Sequence, residues 1–156
     1  MTKLHHVGIL TSNIQQSIDW FADCFGCPKP KVTHVDKPGL RLKTAMLPIG
    51  SAGYIQIIQP LEGPGVSELR AQGDGALYEI ALEVEDIEEF HDRLTEKGIV
   101  PTDFVGNPLS SNFVTAASGT KYFYLPLAQT RGTRIEVIQP AVQQRDETDN
   151  FGTKTS

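Results

Sequence analysis

The sequence predicts an α+β fold made of two copies of a strand–helix–three-strand module, and three observations predict it. The heptads YIQIIQP, at 54–60, and RIEVIQP, at 134–140, share four residues and lie 80 positions apart. Apolar residues recur at helical spacing after a good N-cap in both halves, Asn13 in the first and Asp86 in the second. Matched segments also keep their order. Leu4-His5-His6-Val7 falls on Leu77-Tyr78-Glu79-Ile80 at an offset of 73, Met46-Leu47-Pro48 on Tyr124-Leu125-Pro126 at 78, and the heptads follow at 80. An offset that grows only between elements marks a duplicated unit carrying loop insertions.

Taken along the chain, LHHVGIL at 4–10 reads as the first strand. NIQQSIDWFADCFGC then reads as a helix in which Ile14, Ile18, Phe21 and Phe25 recur at helical spacing. RLKTAMLPIG and YIQIIQP are strand runs broken by Gly and Pro. GVSELRAQGDG, 65–75, reads as a short surface helix and linker. The second half repeats the scheme with LYEIALEV, the helix DIEEFHDRLTEKG closed by Gly98, and the runs SNFVTAAS, KYFYLPLA and RIEVIQP. The expected organisation is a first module over 1–64, a linker over 65–75, a second module over 76–140 and a mobile polar tail over 141–156, all within one structural domain.

Composition sets the outer bounds. With 156 residues, 39% hydrophobic and 21% charged, the chain has the profile of a soluble globular protein. A net charge of −5 argues against nucleic acid, whose phosphates call for a basic patch. No apolar run reaches membrane-spanning length, and the opening MTKLHHVGIL lacks the features of a signal peptide, so a cytoplasmic location is expected. Cys24 and Cys27, in CFGC, have no second cysteine pair to complete a zinc site and read as two reduced thiols near a helix end.

Strand side chains alternate between faces. In the first heptad Tyr54, Gln56 and Ile58 therefore share one face and leave Ile55 and Ile57 to pack on the helix. The duplication puts Glu136 at the position of Gln56 and Glu79 at that of His6. If the halves pair about a pseudo-two-fold axis, His6, Gln56, Glu79 and Glu136 meet in one cleft as nitrogen and oxygen donors for a divalent metal. His5 is expected to face the other way, in a structural role. His34 and His91 carry no motif, and Lys37, Arg41 and Lys43 read as a strand edge that can also receive an anionic group.

These residues resemble the vicinal oxygen chelate (glyoxalase/bleomycin-resistance) superfamily, and within it the methylmalonyl-CoA epimerase-like members. His6-Val7-Gly8-Ile9 is similar to the first-strand ligand motif. Pro38-Gly39-Leu40, Leu47-Pro48-Ile49-Gly50 and Gln56 follow the first half, and Ile80-Ala81-Leu82-Glu83-Val84 with Ile135-Glu136-Val137 follow the second. The resemblance covers roughly residues 4–140. It implies a curved, half-barrel mixed sheet around a metal cleft and a homodimer that covers the sheet edges. It also implies one divalent ion (Mg, Mn, Co, Fe, Ni or Zn) and a small-molecule substrate.

Two positions depart from the epimerase pattern. Glu79 stands where those enzymes carry a second-half histidine, and Lys37 where they carry a glutamate thought to transfer a proton. The resemblance thus implies an epimerase or isomerase of a small keto, carboxylate or thioester substrate, working through a metal-stabilised enolate. Glu136 and Glu79 are its candidate bases, with Asp36 and Lys37 as fallbacks and Lys37, Arg41, Tyr54 and Tyr122 as substrate contacts. A glyoxalase-type lyase and a non-catalytic small-molecule-binding or resistance module are the alternatives. An extradiol dioxygenase, which resembles a two-histidine, one-glutamate site, fits less well with Glu79.

Overall fold

A computed structural model of the chain describes residues 1–51 and 53–141, so the expectation for the tail falls almost wholly outside the described residues. Eleven elements run β1 (Lys3–Leu10), α1 (Ile14–Phe25), β2 (Thr33–Lys37), β3 (Leu40–Pro48), β4 (Tyr54–Glu62), α2 (Pro64–Gln72), β5 (Leu77–Glu83), α3 (Ile87–Glu96), β6 (Val114–Thr115), β7 (Lys121–Tyr124) and β8 (Ile135–Gln139). The helices begin where the caps are. Asn13 accepts a hydrogen bond from the Gln16 amide, and Asp86 accepts two, from the amides of Glu88 and Glu89. Gly26, at φ 65°, takes the left-handed conformation that ends α1. Of the residues at helical spacing, Ile14 and Ile18 are buried, while Phe25, in the last turn, is 61% exposed.

The eight strands form one curled mixed sheet in the order β2-β3-β4-β1-β5-β8-β7-β6. β1 pairs in parallel with β4 and β5 in parallel with β8, so each module closes its own strand–helix–strand crossover. The modules join along the antiparallel β1–β5 seam. α1 covers Ala45 and Ile57 through Ile14 and Ile18, and α3 covers Phe123 and Val137 through Ile87. A third apolar cluster, Leu10, Leu42, Ile58 and Tyr78, reaches α2 through Leu69.

The repeated heptads have a shared duty besides pairing. Gln59 Oε1 accepts from the Ile14 amide at 3.2 Å, and Gln139 Oε1 accepts from the Ile87 amide at 3.0 Å. The last strand of each module thereby satisfies an orphan donor at the start of that module's helix. The curl has a direct measure as well. Lys37, on edge strand β2, places its Nζ 3.4 Å from the hydroxyl of Tyr122 on β7, near the opposite edge of the sheet.

Candidate metal centre

Six side-chain positions on four adjacent strands build the site. In the sheet register Gly8 lies between Gln56 on β4 and Glu79 on β5, and Ala81 lies between His6 on β1 and Glu136 on β8. The two rows exchange under the pseudo-two-fold axis of the duplication. Each places a small residue between two donors, which gives the longer side chains room to converge. At Gly8 the room is needed: a Cβ there would stand 2.7 Å from Glu79 Cγ.

The donors are withdrawn from water, with His6 and Glu79 each 3% exposed and Glu136 8%. Donor atoms of these three lie within 4.8 Å of one another. His6 Nε2 is 3.5 Å from Glu136 Oε2 and 3.7 Å from Glu79 Oε1, too long for hydrogen bonds. Two ligands at about 2.1 Å from one ion stand no more than about 4.2 Å apart, and both separations are within that limit. His6 Nε2, Glu79 Oε2 and Gln56 Oε1 are buried without a hydrogen-bond partner. Unsatisfied buried donors and acceptors are costly, and a cation held between His6 and Glu79 would relieve that cost at both. The residue set therefore fits a divalent ion with hard oxygen and imidazole ligands.

Electrostatics lead to the same place. Burial, and then the charge on Glu79, push the Glu136 carboxyl well above the usual carboxylate range, against a hydrogen bond from Tyr124 that lowers it. Two buried carboxylates in contact share one proton or one cation. The Tyr124 hydroxyl donates to Glu136 Oε1 at 3.3 Å, and its own titration is raised far above a free phenol by burial and by that carboxylate.

Tyr124 was not among the residues singled out in the sequence, although the repeat register contains it: Met46 faces Gln56 across β3–β4 just as Tyr124 faces Glu136 across β7–β8. Arg134 was also missed. It is 8% exposed, lies over the rings of Tyr78 and Phe104, and donates to the Phe104 carbonyl and to Glu68. With Glu68, Thr102 and Tyr124 it lines a cavity of about 160 Å³.

The remaining expected residues divide. Lys37 and Tyr122 meet across the curl of the sheet. The charge of Arg41 is engaged by Glu62 at 2.7 Å, on the surface, and Tyr54 is 41% exposed with its ring 5.4 Å from that of His5. Asp36 and His34 are exposed, and His91 packs edge-on against Phe123.

The placement of His5 differs from strict alternation. β1 advances two residues, Leu4 to His6, while β5 advances one, Leu82 to Ala81, so His5 is the extra residue of a β-bulge. A bulge re-aims side chains, and His5 Nδ1 comes to 2.8 Å from His6 Nδ1. The duplicated position is bulged as well: Tyr78 is the extra residue on β5 between Leu77 and Glu79, and it is buried where His5 is half-buried.

The family model described as Glyoxalase/Bleomycin resistance protein/Dioxygenase superfamily matches residues 5–124. The chain belongs to this superfamily. Among solved structures, this member is similar to methylmalonyl-CoA epimerase from Mycobacterium tuberculosis, at 24% identity over 89% of this chain and 88% of that one, with a TM-score of 0.72. It is also similar to a hypothetical protein from Bacillus halodurans C-125, at 25% identity over 91% and 96% with a TM-score of 0.69. A methylmalonyl-CoA epimerase in complex with methylmalonyl-CoA and NH4+ aligns at 17% identity over 91% and 96%, with a TM-score of 0.67. No curated protein matches the sequence. Among the described residues, no helix is long and apolar enough to cross a membrane.

Proposed function

We propose that this superfamily member is a divalent-metal-dependent enzyme that moves a proton at the carbon next to a carbonyl, as an epimerase or isomerase of a small keto, carboxylate or thioester substrate. The observation that carries the reading is the buried convergence of His6, Glu79 and Glu136 with unpartnered donor atoms. His6, Gln56, Glu79 and Glu136 are the residues that would hold the ion. When bound, it supplies Lewis-acid stabilisation of negative charge developing on a carbonyl oxygen. The chain's own residues do the rest.

Glu136 is tethered by Tyr124 and suits a fixed ligand. Glu79 has an oxygen with no partner and suits the base that takes and returns the proton. Burial excludes bulk water from both carboxylates and strengthens their charge interactions. Lys37, beside Tyr122 and without an ion-pair partner among the described residues, supplies a cation for an anionic part of the substrate; Arg41, already paired with Glu62, does not. A protonated lysine has no lone pair with which to accept a proton, so Lys37 does not supply a second base.

The test is metal content by mass spectrometry on the purified protein with His6→Ala and Glu136→Ala alongside, followed by solvent-deuterium exchange. Methylmalonyl-CoA, named with a structurally similar epimerase, and small 2-oxo acids are the first substrates to try. About one ion per chain, lost in both variants, with deuterium entering only the carbon next to the carbonyl, is the expected result. A wild-type protein that stays metal-free after reconstitution would overturn it.

A further inference from the structure

An imidazole presents two nitrogens on opposite sides of the ring, and in the neutral form one carries the proton while the other offers a lone pair. At His6 the two sides have different neighbours. Nε2 faces Glu79 and Glu136 at distances too long for hydrogen bonds and has no partner. Nδ1 has a single partner, Nδ1 of His5 at 2.8 Å. A contact that short between two nitrogens requires one proton between them.

If His6 carried its proton on Nε2, His5 would have to be the donor at Nδ1, and the buried N–H would close Nε2 to any cation held between Glu79 and Glu136. If the proton lies on His6 Nδ1, it is donated to the lone pair of His5 Nδ1, and Nε2 is left bare toward the carboxylates. His5 reaches this position only because it is the bulged residue of β1, and its ring is backed by Tyr54, 5.4 Å away centre to centre.

We infer that His5 is a positioning residue: it accepts the Nδ1 proton of His6, fixes the tautomer and ring angle of that side chain, and so presents a bare Nε2 to a divalent cation held with Glu79 and Glu136. Partners that hold the second nitrogen of a ligating histidine typically govern metal affinity by about 10–100-fold. The inference rests on the reading of His6 as a ligand, and it assigns a task to a residue outside the donor set.

Two variants and two readouts test it on the full chain. His5→Phe keeps a flat ring against Tyr54 and removes the acceptor; His5→Asn restores an acceptor as a side-chain carbonyl. The first readout is the histidine tautomer in metal-free, ¹⁵N-histidine-labelled protein by long-range nitrogen–proton correlation. The second is Co²⁺ affinity by titration calorimetry at one fixed pH. The wild type should show His6 protonated at Nδ1, and His5→Phe should lose that single tautomer and bind Co²⁺ about 10–100-fold more weakly. His5→Asn should recover most of both.

An unchanged His6 tautomer in His5→Phe, or Co²⁺ affinity equal to wild type in that folded variant, would overturn the inference. Failure of the ligand reading looks different. There the His6→Ala variant binds Co²⁺ as wild type does, while the tautomer spectrum of the wild type still reports the His5–His6 bond.

Discussion

A methyl group at Gly8 would run into Glu79. The added Cβ of Gly8→Ala stands 2.7 Å from Glu79 Cγ, 3.2 Å from Ile58 Cδ1 and 3.3 Å from Glu79 Oε1. Restoring an ordinary 3.4 Å contact requires Glu79 Cγ to move by about 0.7 Å, well beyond the ~0.2 Å tolerance of a metal–ligand distance. At 3% exposure, Glu79 cannot swing out to solvent. Overpacking costs about 1–3 kcal/mol, offset by about 0.4–1 kcal/mol from the stiffer unfolded chain where the backbone suits alanine. The metal-free variant is therefore expected to fold with a loss of about 1–2 kcal/mol.

The larger effect is on the ion. At a concentration one hundred times the wild-type Kd, binding stabilises the native state by about 2.7 kcal/mol, or roughly 5–11 °C in Tm. If the displaced carboxylate weakens binding a hundredfold, the same concentration gives about 0.4 kcal/mol, or roughly 1–2 °C. Thermal melts of both proteins with and without Co²⁺ separate the two effects. A Gly8→Ala protein with the full wild-type metal shift would refute the claim that Gly8 clears space for a donor.

Two further outcomes follow from the site and the caps. In chelator-treated protein the folded Glu136 holds its proton to higher pH than the unfolded chain, whose glutamates titrate near about 4.3. The native state then binds more protons above that pH, and stability falls as pH rises toward the folded value, by at most about 1.4 kcal/mol per unit. Melts from pH 5 to 8 should show this decline without metal and its loss when Co²⁺ saturates the site; a flat metal-free profile would count against the buried carboxylate pair. Removing either helix-capping glutamine, with Gln59→Ala or Gln139→Ala, should cost about 1 kcal/mol in urea unfolding and leave Co²⁺ affinity at wild-type level. A loss shared by only one of the two variants would mean the caps are not equivalent.

Much of this molecule can be read in its sequence because duplication supplies an internal standard. Ile14, Ile18 and Ile87 mark their helices by period, and the paired heptads locate β4 and β8 and set Gln56 against Glu136. What escaped depends on tertiary pairing. THVDK has little apolar pattern, and it is a strand because β3 offers an edge to pair with. SNFVTAAS shrinks to Val114–Thr115, and β7 stops before Leu125. Alternation fails at His5 and Tyr78 because a bulge belongs to the register between two strands, and neither strand alone reveals it. Arg134 reads as one more polar residue before a strand until Tyr78, Phe104 and Glu68 are placed around it.

The seam between β1 and β5 has one more property. His6 and Gln56, an imidazole and an amide, come from the first module, and both carboxyl groups, Glu79 and Glu136, come from the second. The repeat that made the two walls alike in shape left them unlike in chemistry, so the seam is also a boundary between acidic and non-acidic side chains. A molecule lying across it would meet an imidazole and an amide at one end and two carboxyl groups at the other. A near-symmetrical cleft would thus tell the two ends of a bound molecule apart, with four side chains that exchange places under the symmetry of the backbone.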